Sequence, residues 1–369
     1  MIPQPRDNIG SISPYIPGKP IEEVRRELGL KGRIIKLASN ENPLGPSKLA
    51  VKAIRQALKE INLYPDDGCY ALGQRLSDHL GVSENQLIFG NGSVDIIEFI
   101  FKSFVAPKDH VVMAEQSFVM GKIAAKMTDA DLTEVPLKNY TPDLEAMARA
   151  VTPQTKVVYI ANPNNPTGTM ISHDQLKAFI KAVPGGCVII LDEAYSEYIT
   201  RSDFPRSLEL LKDHSNIIIL HTFSKIYGLA GLRVGYGIGH PELIASIRKV
   251  RLPFNISLLS QAGCLAALDD VKHLEHSRRV NDAGKEFLYR QFEKMKLFYV
   301  PSEGNFILVD PRLDSMEIFT RLQKLSIIIR PVKNYGLPTA LRVTIGSEKQ
   351  NKKLVVALKK VLKEVRRSQ

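Results

Sequence analysis

The chain reads as an α/β protein with a large domain on a mostly parallel sheet flanked by helices, followed by a smaller α+β domain. Three observations predict this. Between residues 86 and 239, short apolar β-branched runs alternate with stretches of helical period, the signature of βα units on a parallel sheet. Beyond Pro241 the alternation yields to long helical stretches and then a shorter mixed set of strands and helices. A length of 369 residues, with 44% apolar and 24% charged, provides ample material for two cores. The expected organisation is an N-terminal arm and helix over 1–30, a large domain over 31–240, and connecting helices with a small domain over 241–369.

Five prolines and two glycines in residues 1–20 suit an extended arm lying on another surface. A helix is expected over 21–28, then a short strand near 34–37 that runs into the polar turn Ser39-Asn-Glu-Asn-Pro-Leu-Gly-Pro46, and a helix over 47–59. Tyr64-Pro-Asp-Asp-Gly68 is a turn by composition, which on its own leaves Tyr64 a surface aromatic. A helix over 70–80 and a strand over 86–89 lead to Gly90-Asn-Gly-Ser93 and a helix over 94–104. Strands are then expected over 110–114, 132–136, 156–161, 187–192 and 217–221, with 234–239 as a possible addition and helices over 118–127, 142–150 and 172–183. The second half predicts helices over 243–251, 258–268 and 271–294, strands over 305–309, 327–330 and 341–345, a helix over 314–324 and a terminal helix.

A net charge of +11 raises the question of nucleic acid, but the basic residues are dense only over 349–367, where apolar residues at helical spacing make them the wet face of a docked helix. Anionic metabolites suit the same charge, and neither nucleic acid nor membrane is an expected partner. Cys69, Cys187 and Cys264 have no metal spacing, and no residue run has the length or pattern of a membrane span or secretory leader. The expectation is a cytoplasmic protein with no bound metal.

Four stretches carry candidate chemistry. In His221-Thr-Phe-Ser-Lys-Ile-Tyr-Gly-Leu-Ala-Gly-Leu-Arg233, Lys225 follows a buried strand and emerges at the carboxyl edge of the sheet, where α/β folds place ligands. A desolvated amine there condenses with an aldehyde, and Thr222, Ser224 and Arg233 supply an anion site, the combination needed by pyridoxal 5'-phosphate (PLP). A solvated turn is the plainer reading of the same residues. Gly90-Asn-Gly-Ser93 offers free backbone N–H groups at a helix N-terminus, although Asp95 occupies the third glycine position of a dinucleotide fingerprint. Asn162-Pro-Asn-Asn-Pro-Thr-Gly168 is either a rigid cap on a strand or a source of amide donors. Asp192, placed directly after an apolar strand, is a helix cap or a functional anion, with Tyr195 three residues on.

In order and spacing these motifs resemble the fold-type I PLP-dependent aminotransferases over nearly the whole chain. Ser39 to Pro46, Tyr64-Pro65, Gly304-Asn305-Phe306, Arg330-Pro331 and Leu341 to Gly346 look most like the histidinol-phosphate aminotransferases. The resemblance implies that Lys225 binds the cofactor covalently and moves the substrate proton, that Asp192 pairs with the pyridine nitrogen, and that Asn165 and Tyr195 bond its phenolic oxygen. It implies a phosphate cup of Gly92, Ser93, Val94, Thr222, Ser224 and Arg233, with Phe118 stacked on the ring and Tyr64 reaching the neighbouring subunit's phosphate. Asn42, Tyr64, Asn165, Arg330 and Arg342 are implied on the substrate side, the arginines for the glutamate carboxylate or the substrate phosphate. A homodimer with shared sites, moving an amino group from glutamate to imidazole acetol phosphate to give 2-oxoglutarate and histidinol phosphate, is implied by the same likeness. The sequence departs from the family at Gly92-Ser93-Val94-Asp95, which usually has two acidic residues, and at Gln116-Ser117-Phe118, usually Pro-Thr-aromatic. An aromatic amino-acid aminotransferase, a threonine-phosphate decarboxylase-like enzyme and a ligand-sensing module on the same scaffold are the alternatives.

Overall fold

The computed structural model describes residues 2–14 and 18–368. Its strands are β1 (Ile35–Lys36), β2 (Leu87–Gly90), β3 (His110–Ala114), β4 (Asp131–Val135), β5 (Thr155–Ala161), β6 (Val188–Asp192), β7 (Ile217–Thr222), β8 (Gly235–Gly239), β9 (Phe298–Val300), β10 (Phe306–Asp310), β11 (Ile327–Ile328), β12 (Arg330–Pro331) and β13 (Leu341–Thr344). Seven form one sheet in the order β2-β8-β7-β6-β5-β3-β4, parallel throughout except for β8, which runs against both its neighbours. The reversal has a simple cause: only residues 223–234 separate β7 from β8, and they turn the chain back at the sheet's carboxyl edge so that Thr222 pairs with Gly235. Lys225 and Arg233 ride on that turn.

Helices cover both faces of this sheet, so its central strands are apolar on each side. Val158, Ile160, Ile189, Leu191 and Ile219 face one core, while Val157, Tyr159, Ile190, Ile218 and Leu220 face the other. This alternation decides the chemistry beyond β6: Asp192 continues the face of Ile190, and Glu193 turns to the opposite one. At β8, Gly235 lets the helix Ser93–Phe104 approach, since a Cβ there would stand 2.3 Å from the Ser93 amide nitrogen.

A second core gathers Leu288, Phe292, Ile307, Val309, Leu341, Val343 and the inner face of the terminal helix Glu348–Ser368, around the antiparallel sheet β12-β13-β10-β9. The cores do not follow chain order. Ile35 and Leu37 pack into the second one, and β1 pairs with β11, whereas Cys264 and Ala267 of the helix Leu258–Leu268 pack into the first.

Several details differ from the sequence expectations. The strand expected over 327–330 is two, because the chain changes partner at Ile329: β11 pairs with β1, and β12 with β13. The helix Ser207–Asp213 and strand β9 were not expected, being seven and three residues long and too short for a periodic signal. Helix Lys48–Ala57 starts after Ser47, whose Oγ accepts from the Leu49 and Ala50 amides, and ends in a 3-10 turn. Within the expected arm, Asp7–Gly10 forms a helical turn, and Asn8 Nδ2 donates to the carbonyls of Lys126 and Met127 at 2.9 and 3.1 Å. Residues 15–17 of the arm lie outside the described residues.

Candidate active site

Strands β5, β6 and β7 end side by side, and the segments after them wall a cavity of about 270 Å³ at the carboxyl edge of the sheet. Lys225, Asp192, Tyr195, Asn165, Phe118, Arg330 and Arg342 line it, together with Gly92, Ser93, Val94, Thr222, Ser224 and Arg233. The chain brings together every singled-out residue except Asn42 and Tyr64. Asn42 is turned away from the cavity: its Nδ2 donates to the Ile226 carbonyl and Ser277 Oγ at 2.7 and 2.8 Å, tying the 39–46 turn to the lysine loop. Tyr64 is 83% exposed and stacks on Phe254 at 4.7 Å between centroids, on the outer surface.

The lysine amine sits 3.5 Å from the Ser39 carbonyl oxygen and 5.4 Å from the centre of the Tyr195 ring. Asp192 is buried, and its Oδ2 accepts from the Tyr159 hydroxyl at 2.6 Å, with the Ala194 amide 3.3 Å from Oδ1. Burial lifts its carboxyl above the ordinary range, opposed by the Tyr159 hydroxyl, the Ala194 amide and the positive charges of Lys225 and His221. Such an acid is poised to pair with a cation that enters the cavity. The Tyr195 hydroxyl accepts from Asn40 Nδ2 at 2.9 Å, and its ring meets Phe306 edge-on at 5.1 Å. Burial raises the Tyr195 pKa, so the phenol stays protonated and can donate inward.

One wall is built for an anion. The helix Ser93–Phe104 opens after Gly92 with no side chain capping its first amides, leaving the N–H groups of Ser93 and Val94 and the positive end of the helix at the cavity. Arg233, held at φ 55°, donates from Nη1 to Ser224 Oγ at 3.3 Å and from Nη2 to the Asn91 carbonyl at 3.3 Å. Thr222 Oγ1 accepts from the Ser224 amide at 3.1 Å, which sets the two hydroxyls beside the guanidinium. On another wall Arg342 donates from Nη1 to Asn165 Oδ1 at 2.6 Å and from Nη2 to the Ala38 carbonyl at 2.7 Å, while its buried Nε has no hydrogen-bond partner.

An aldehyde-reactive amine, a buried carboxylate for a ring nitrogen, phenol and amide donors, and a separate phosphate cup fit PLP by chemistry of donors alone. Among the described residues no cluster of His, Cys, Asp and Glu could hold a metal, and no helix is long and apolar enough to cross a membrane.

Sequence reasoning offered both asparagines of the 39–46 turn for a polar site without separating Asn40 from Asn42, and missed Tyr159 and the groups beneath the lysine strand. Nothing in Asn40-Glu-Asn42 marks which asparagine faces inward; the structure gives that place to Asn40, at φ 55°. Beneath β7, His221 Nε2 lies 3.3 Å from Glu193 and Nδ1 lies 3.9 Å from Glu197, with Ser207 Oγ donating to Glu193. Burial acts to lower the imidazole pKa, but the two glutamates outweigh it and raise it to about 10. A histidine whose folded pKa is raised stabilises the fold fully below its unfolded value near 6.5, and that stabilisation fades as pH rises through about 10. Urea unfolding of wild type and His221→Gln should therefore differ most below pH 6.5 and converge toward pH 10. A pH-independent difference would refute the charged pair.

The sequence matches the model of the aminotransferase class I and II family over residues 32–358. It is 49% identical to the histidinol-phosphate aminotransferase of Moorella thermoacetica, over 98% of this chain and 94% of that one. It is 46% identical to that of Caldicellulosiruptor saccharolyticus, over 97% and 99%. Among solved structures, the histidinol-phosphate aminotransferase of Sinorhizobium meliloti in complex with pyridoxal 5'-phosphate superposes with a TM-score of 0.90 at 29% identity, covering 99% of each chain. With a cavity of matching chemistry at the sheet edge and likeness across almost its full length, this chain belongs to the class I and II aminotransferases and, within them, to the histidinol-phosphate aminotransferases.

Proposed function

We propose that the chain uses pyridoxal 5'-phosphate to move an amino group between glutamate and 2-oxoglutarate on one side, and imidazole acetol phosphate and histidinol phosphate on the other, in histidine biosynthesis. The single observation carrying this is the meeting of Lys225, Asp192, Tyr195 and the Ser93–Arg233 anion cup around one cavity whose far wall bears Arg330 and Arg342. Bound there, the cofactor supplies an aldehyde to accept the amino group and an electron-poor ring to hold the charge left when the substrate loses its α-proton.

The residues divide that work. Lys225 would hold the cofactor through its amine and would take and return the substrate's α-proton as general base and acid. Asp192 keeps the ring nitrogen protonated, while Tyr195 and Asn165 orient the ring through its phenolic oxygen. The amides of Ser93 and Val94, the hydroxyls of Thr222 and Ser224 and the Arg233 guanidinium neutralise the phosphate and fix the ring's distance from Lys225. Phe118 packs on the ring face. Arg342 and Arg330 bind the anionic end of each substrate in turn, and the relatives' activity favours histidinol phosphate over an aromatic amino acid.

The active form is a homodimer. Leu58, Ile61, Leu63, Tyr64, Leu252 and Phe254 are large, exposed and apolar, and the Tyr64–Phe254 stack joins the two segments into one patch suited to a second copy. Tyr64 reaches the partner's phosphate from there. Sedimentation should give twice the 41.2 kDa chain mass, and a monomer at micromolar concentration would refute the shared site. The three buried free cysteines suit a reducing cytoplasm, which fractionation of cells would check.

The reaction is tested on the purified PLP-loaded protein by visible absorption. Histidinol phosphate is expected to bleach the cofactor band at far lower concentration than phenylalanine. A stronger response to phenylalanine would reassign the substrate to the aromatic amino acids, and carbon dioxide release without a keto acceptor would reassign the reaction to decarboxylation.

A further inference from the structure

We infer that Tyr159 is a positioning residue for the reaction, holding the Asp192 carboxylate in the orientation in which it meets the cofactor ring; this rests on the PLP reading above. The contact is a consequence of sheet geometry. Strands β5 and β6 are parallel with Tyr159 opposite Ile190 and Ala161 opposite Asp192. Tyr159, Ile190 and Asp192 thus share a face, and Tyr159 is the diagonal neighbour of Asp192, a spacing that a long aromatic side chain spans. Its hydroxyl donates to Asp192 Oδ2 at 2.6 Å, much shorter than the 3.3 Å separating Oδ1 from the Ala194 amide.

Packing does not explain a hydroxyl at this position. Tyr159 is wholly buried, does not line the cavity, and carries a polar atom into an apolar layer of Ile190, Leu220 and Met113, where phenylalanine would satisfy packing alone. The ring is fixed from the helix side as well. A Cβ on Gly121 would stand 3.2 Å from two of its ring atoms, so the helix Met120–Met127 presses its glycine onto the tyrosine. Burial and the Asp192 charge push the phenol pKa well above its usual value, so the group remains a proton donor. A buried carboxylate with one firm donor on Oδ2 keeps its other oxygen available, whereas the same carboxylate without that donor is free to rotate and to take up a proton.

The test uses the full-length protein prepared as apoprotein and titrated with PLP, comparing wild type, Tyr159→Phe, Asp192→Ala and the double variant. Tyr159→Phe is expected to leave the apoprotein cooperatively folded, weaken PLP binding per folded molecule by roughly tenfold or more, and lower kcat by roughly 10- to 100-fold with KM for glutamate little altered. In the Asp192→Ala background the same change should cost nothing further, since the tyrosine acts through the carboxylate. Tyr159→3-fluorotyrosine, which retains the donor, should hold PLP as wild type does.

Wild-type PLP affinity and kcat in Tyr159→Phe would overturn the inference. So would an equal loss in the Asp192→Ala background, a loss repeated by the fluorotyrosine, or a drop in apoprotein stability with PLP affinity per folded molecule unchanged. A wild-type protein that takes up no PLP would instead defeat the functional reading itself, an outcome distinct from all of these.

Discussion

Lys225→Ala is expected to reduce glutamate-dependent transamination by roughly 10⁴-fold or more, the largest effect of any single substitution, because the proposed reaction uses one side chain as both covalent anchor and proton carrier. Of the described side chains lining the cavity, Lys225 alone carries a primary amine. Its neighbours cannot take over: Tyr195 is a phenol whose pKa burial raises, and Asp192 is committed to the Tyr159 hydroxyl. The fold should survive, since the side chain projects into the cavity. The variant should therefore melt as a cooperative unit, lose the pH-dependent yellow absorbance of the loaded enzyme, and regain part of its rate in millimolar methylamine, a small base that fits the space left by the lysine. Retention of activity within tenfold of wild type would show that the roles assigned around the cavity are wrong.

How far the site was legible depended on whether a residue's position could be read from its own strand. Asp192, Asn165 and Lys225 were readable because each comes at or just after a run of buried apolar residues, and a parallel strand delivers its C-terminal residues and the loop beyond them to the carboxyl edge. The reversed direction of β8 was not readable as such, yet it is set by the short turn of residues 223–234 that also carries the lysine. Residues that act across elements were hidden. Tyr159 looks like one more apolar strand position until the β5–β6 register places it diagonally from Asp192. The inward turn of Asn40 rather than Asn42 depends on partners from far along the chain: the Asn40 amide donates to Thr344 Oγ1 at 2.9 Å, and that hydroxyl donates to Asn40 Oδ1 at 3.0 Å. Tyr64 shows the complementary limit: within one chain it is an exposed aromatic stacked on Phe254, and the role proposed for it in a second copy leaves no signature there.

The second large effect is expected at Arg342. Its guanidinium is anchored on two sides, by Asn165 Oδ1 and the Ala38 carbonyl, and lies 5.5 Å from the centre of the Phe306 ring, with Nε buried and unpaired. An arginine fixed this firmly on the cavity wall, yet left with an unused donor, is preorganised for an anion, because the cost of ordering the side chain has been met by the fold before substrate arrives. Arg342→Ala should lower kcat/KM for glutamate by roughly 10²–10³-fold, mostly through KM, the scale of losing one member of a buried charge pair. Arg342→Lys should recover little of it, since a single ammonium cannot bond Asn165, Ala38 and a carboxylate in one plane. PLP uptake should persist in both variants, for the phosphate cup proposed at Ser93 and Arg233 shares no hydrogen bond with Arg342, which is held by Asn165 and Ala38. The parallel substitution Arg330→Ala then sorts the anions: a selective loss for histidinol phosphate there, against a selective loss for glutamate at Arg342, assigns phosphate and carboxylate to different arginines. Equal losses for both substrates in both variants would mean that the two cations act on one shared anion position, and unchanged glutamate kinetics in Arg342→Ala would remove it from substrate binding altogether.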